Sequence, residues 1–126
     1  MKNLNRVTLL GVVMQLGVLK NDPTITPRFE FSLTTTHHWI DPKTGELCYD
    51  KETHDIVLFD KKAPHAARMM RVGSIVMIEG YIKTIRREVG NNLEPLMIKK
   101  IICSNFIVCG KRNLELNNNE VDEDGF

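Results

Sequence analysis

Three cysteines, four histidines and a scatter of carboxylates are the residues of this 126-residue chain whose types could ligate a metal or attack a substrate. Their spacing supports neither. Cys48, Cys103 and Cys109 stand at unrelated intervals, His37 and His38 are adjacent, and His54 and His65 stand apart. With no C-x-x-C or H-x-x-x-H pair, no metal site and no cofactor is expected. An odd cysteine count also argues against a disulfide framework and for a reducing compartment. The chain has no G-x-S-x-G, no phosphate-binding glycine loop and no H-E-x-x-H, and Cys48 forms no recognisable nucleophile pair with the histidines. Asp41, Asp55 and Glu79 lie in segments that a fold alone accounts for. No enzymatic activity is expected.

Charge is more informative than nucleophiles. From Asn113 onward the chain carries five acids and no base, ending DEDGF, whereas residues 1–112 hold all 17 Lys and Arg against 11 acids. A body at +6 and a tail at −5 are hidden inside a net charge of +1. Such segregation points to nucleic-acid or partner binding by the body and to an acidic interaction tail.

The elements that would position these charges read mainly as strands. Phe29, Phe31 and Leu33 alternate with Glu30, Ser32 and Thr34, the pattern of a strand with one buried face. Arg6 to Val12, Thr53 to Phe59, Ser74 to Ile85 and Pro95 to Val108 are further Ile-, Val- and Leu-rich strands. One helical segment, KKAPHAARMMRVGS, has Pro64 near its start and Gly73 just past its end. It falls between the third and fourth strands. Gly11 and Gly80, inside strands, suit a bend or bulge of a small barrel. Turn residues at Asn21 to Pro23, Asp41 to Glu46 and Val89 to Asn92 separate the runs. Strand, strand, strand, helix, strand, strand is the order of the five-stranded Greek-key OB barrel. The same alternation also permits another small barrel or a sandwich.

After Gly110 the periodicity stops, so the expected organisation is an OB domain over residues 1–110 and a disordered acidic tail over 111–126. No apolar run approaches the ~20 residues of a membrane-spanning helix, and no secretory cleavage site follows MKNLNRVTLL. A cytoplasmic protein with no membrane association is expected.

Particular residues narrow the choice. RVTLLG, FSLTTTHHW with IDPKTGE, THDIVLF and RVGSIVMIEGYIKT follow one another in an order and spacing that resembles the bacterial single-stranded DNA-binding proteins, from about Leu4 to Gly110. W-x-D-x-x-T-G-E (Trp39 to Glu46) and G-S-x-V-x-I-E-G (Gly73 to Gly80) are specific together, and Asp122, Glu123, Asp124, Gly125 and Phe126 look like that family's acidic tip. The resemblance implies an all-β OB barrel, usually homotetrameric and nucleoid-associated. It also implies sequence-independent binding of single-stranded DNA in replication, recombination and repair, with the tip recruiting partner proteins.

The resemblance further implies Trp39 and Phe59 as base-stacking residues and Lys83 and Arg86 on the DNA track; Lys43, Lys51 and Lys61 are weaker candidates for phosphate contacts. His54 falls where the family has an interface histidine. Thr53 stands where a tryptophan is common and Arg87 where another aromatic is, although arginine can also stack on a base. Each residue has a plainer reading: Trp39 or Phe59 in a core, Lys83, Arg86 and Arg87 on a solvated strand face, His54 a satisfied imidazole. Further departures are a longer, more apolar first hairpin (GVVMQLGVLKNDP), a linker of only some ten residues before the tip, and Gly125 where proline is usual. An oligomeric OB-fold interaction module, or a primosomal-type accessory protein with weak DNA binding, is the alternative function.

Overall fold

The computed structural model describes residues 2–111. The expected tail beyond Lys111, with its tip Asp122 to Phe126, lies outside the described residues. Five strands form the domain: β1 (Val7–Leu16), β2 (Arg28–Ile40), β3 (Leu47–Phe59), β4 (Ser74–Arg87) and β5 (Leu96–Lys111). One helix, α1 (Lys62–Met69), joins β3 to β4. The strands close into a barrel in the order β1-β2-β3-β5-β4, with β3 and β5 parallel and the other neighbours antiparallel. This is the OB topology that the element order pointed to. Among the described residues no helix is long and apolar enough to cross a membrane.

Alternation in β2 does what its pattern requires, because side chains two apart share a face. Phe29, Phe31 and Leu33 enter the core with Ile56 and Leu58 of β3, Val76 and Ile78 of β4, Val13 of β1 and Cys103 of β5. The helix adds Ala63 and Ala66, followed by Met70, a spacing that puts all three on one helical face, and that face packs on the same cluster. Burial pushes the Cys103 thiol up to about 11, so it behaves as a small hydrophobe.

Every strand runs past its apolar pattern, β2 and β3 the furthest. β3 begins at Leu47 rather than near Thr53, and β2 runs on to Ile40. Residues 47–52 (LCYDKE) show no buried face; five are exposed and Cys48 is half-buried. They are held instead by the ladder to β2, which continues through Ile40↔Leu47. The β2–β3 hairpin thus projects from the barrel as an arm. The long first hairpin is ordered in a similar way: Lys20 bridges to Arg28, Gly17 N–H donates to the Glu30 carbonyl, and the Asp22 carboxylate accepts from Thr24.

Closure brings backbones together where a side chain has no room. A Cβ on Gly80, at the bulge that follows Glu79, would lie 1.9 Å from the Ile102 carbonyl oxygen. One on Gly11 would lie 2.3 Å from that of Thr34. Gly80→Ala is therefore expected to cost about 3 kcal/mol of stability through forced backbone displacement. Gly110→Ala, with nothing within 4 Å of its would-be Cβ, should unfold in urea within about 0.5 kcal/mol of the parent.

Candidate nucleic-acid interface

The arm presents two faces. Register is continuous over thirteen pairs from Arg28↔Phe59 to Ile40↔Leu47, so parity alone assigns every side chain to the core-side face or the outer face. Trp39, opposite Cys48, continues the line of Phe29, Phe31 and Leu33 on the core-side face. Phe59, Thr53, Lys51 and Tyr49 share the outer face with Arg28, Thr34 and His38 across the ladder.

The W-x-D-x-x-T-G-E segment is the turn that ends the arm. The Asp41 carboxylate accepts from Lys43 N–H, the Thr44 hydroxyl accepts from Glu46 N–H, and Gly45 takes a positive φ of 74° that an L side chain resists. This turn leaves Trp39 39% exposed at the end of β2, its ring stacked on His37 at 5.6 Å between centroids and 20° between planes. Trp39 belongs to no core cluster.

Phe59 is half-buried and also outside the core cluster. Arg28 lies over its ring, 5.7 Å from the centroid. A short polar network starts there: Arg28 pairs with Glu30 at 2.7 Å, and Glu30 with Lys100 of β5 at 2.5 Å. Lys100 is only 8% exposed. Burial pushes the Glu30 carboxyl up, but the Lys100 hydrogen bond and the Arg28 and Lys100 charges outweigh it and hold the carboxyl below its ordinary value. A groove of about 210 Å³ opens beside Lys100, flanked by Ser32 and the exposed Asp55.

The basic residues divide between faces. Lys83 pairs with Lys100 across β4 and β5, which puts Lys83, and by alternation Arg87, on the outer face. Arg86 points to the other side and is ion-paired with Glu88 at 2.9 Å. Lys43 sits in the arm turn. Lys61 precedes α1, two residues past Phe59. Lys51 carries its ammonium 5.8 Å from the Tyr49 ring centroid. His54 is half-buried with ring Nε2 2.9 Å from the Thr35 hydroxyl.

The structure therefore gathers Phe59, Lys51, Lys83 and Arg87 on one continuous face and leaves Trp39 and Arg86 on the other. A single ligand strand that touched both aromatics would have to wrap around the arm. Arg28 and Tyr49 lie on the same face: alternation in β2 places Arg28 outward and only the register sets it over Phe59, while Tyr49 stands in a segment with no apolar periodicity.

Comparison with known proteins follows the same lines. The model of the single-strand binding protein family matches residues 4–107. Among solved structures, the chain is similar to the Plasmodium falciparum SSB in its complex with ssDNA: 29% identity and TM-score 0.72, over 86% of this chain and 97% of that one. It is similar to a small single-stranded DNA-binding protein of Streptomyces coelicolor, with 17% identity and TM-score 0.64 over 85% and 95% of the two chains. A deletion mutant of the Thermus aquaticus single-stranded DNA binding protein matches at 15% identity and TM-score 0.68, over 83% of this chain and 50% of that one. At such low identity the last two likenesses speak to fold alone.

Glu30 holds two cations on the outer face, so its removal is the test of that network. Its folded-state carboxyl lies below the ordinary 4.5, so its stabilisation is present above that value and is lost as pH falls through the lowered one. Glu30→Gln, which keeps an amide oxygen as acceptor but removes the charge, should cost about 2 kcal/mol at neutral pH by leaving the buried Lys100 ammonium without its counter-charge. In urea titrations the gap from the parent should narrow below the ordinary carboxylate range.

Proposed function

The chain belongs to the single-strand binding protein family, and on that premise we propose that it coats and protects single-stranded DNA, without sequence preference, during replication, recombination and repair. The observation that carries the reading is the exposed indole of Trp39 at the end of the β2–β3 arm, inside the family-matched segment and outside the core. Bases stack on any open aromatic face, at about 1–3 kcal/mol each, and phosphates are met by Lys and Arg. Trp39 and Phe59 supply stacking. Lys83, Arg86 and Arg87 supply charge, with Lys43, Lys51 and Lys61 as lesser contacts. Arg28 over Phe59 joins them, since a guanidinium plane can take a base on its free side.

The working form is a homo-oligomer, a tetramer by family habit. Leu10, Met77 and Ile107 pair directly across β1, β4 and β5 on the outside of the barrel, with Leu10 and Ile107 exposed. Such an apolar row favours a subunit contact. His54 is the interface histidine by its place in the family pattern. The acidic tip, Asp122 to Phe126, docks replication or repair proteins through the Phe126 ring and the acids that flank it, which suit an apolar pocket with a basic rim.

A second reading is an oligomeric interaction module with weak DNA binding. It is favoured by one observation, the carboxylates of Glu30 and Asp55 among the cations of the outer face. Fluorescence titration of Trp39 with oligo(dT) separates the two. Strong quenching, with log affinity falling by about 0.7 per phosphate contact for each unit of log salt, is expected for the first; no quenching and unchanged oligonucleotide mobility at low salt would leave the second. Deleting residues 122–126 should preserve that titration while abolishing retention of replication proteins on the immobilised chain.

A further inference from the structure

Thr53 leaves the middle of the outer face without an aromatic ring: its hydroxyl sits 3.3 Å from that of Thr34 and offers no π surface. Four residues further out on the same strand and the same face stands Tyr49, 60% exposed. Two neighbours flank its ring. The His38 imidazole meets it edge-on at 6.0 Å and 72°, and the Lys51 ammonium lies 5.8 Å from its centroid. An exposed tyrosine in a strand, flanked on two sides, is a platform with little rotamer freedom to lose on binding.

The arrangement repeats one found at the other end of β3. Arg28 over Phe59 and Lys51 over Tyr49 are both cation–aromatic pairs, on one face, ten residues apart, or about 33 Å along an extended strand. Each pair can stack a base and meet the adjoining phosphate. Resting on the single-strand-binding reading, we propose that Tyr49 is a base-stacking residue and that, with Lys51, it carries the DNA track beyond Thr53 to the end of the arm.

The test is oligo(dT) titration of the full chain, read by Trp39 quenching, which reports from the opposite face. Tyr49→Ala should weaken binding about 5- to 150-fold, the loss of one stacked base, with the salt slope unchanged. Tyr49→Phe, which keeps the ring, should bind within about threefold of the parent, and Lys51→Ala should reduce the salt slope by about 0.7. A parent that binds and a Tyr49→Ala variant of equal affinity would overturn the role of Tyr49 and leave the DNA-binding reading standing. A parent that fails to bind would overturn both. Weakened binding accompanied by a lower oligomer mass in size-exclusion chromatography would overturn stacking in favour of a subunit contact.

Discussion

The thirteen-pair ladder between β2 and β3 is the constraint on which everything else in this domain rests. Because it runs without a bulge, the same parity that sends Phe31 and Ile56 into the core sends Trp39 to one face of the arm and Phe59, Thr53 and Tyr49 to the other. A slip of one residue would invert all of these together. The core half of the ladder is secured by buried apolar side chains, and the arm half inherits its register from that anchor. Rigid display of aromatic rings outside the barrel is thus a consequence of packing inside it.

Electrostatics shape the same surface differently from what the body charge of +6 indicates. Two of the outer-face cations, Arg28 and Lys100, are already matched to Glu30, and Asp55 stands exposed beside the groove; on the opposite face Arg86 is matched to Glu88. The charge left free on this surface is therefore smaller than the body charge indicates, and the cation–aromatic pairs Arg28–Phe59 and Lys51–Tyr49 are the places where ring and charge meet.

How much of this was legible varied with burial. Strands that line the core announced themselves: Phe29, Phe31 and Leu33 alternate because one face is dry, and the helix was marked by Pro64, its alanines and Gly73. The arm did not, since LCYDKE is wet on both faces and nothing selects an apolar period. Gly80 was recognised as a bend, although the reason it must be glycine, the approach of the Ile102 carbonyl, involves a residue 22 positions away. For the site, Trp39 and the basic residues of β4 were named from the resemblance. Arg28 and Tyr49 were not, because their partners Phe59, His38 and Lys51 become neighbours only through strand pairing or side-chain contact.

By itself, then, the sequence determined a β-rich domain with one helix, its dry faces, its charge segregation and its family, since these follow from local periodicity, composition and short spaced segments. Only the tertiary structure decided which rings and charges share a surface. That depends on register and closure between residues distant in the chain: Trp39 and Phe59, both aromatic and both exposed to some degree, end on opposite faces because the ladder joining them counts in steps of two.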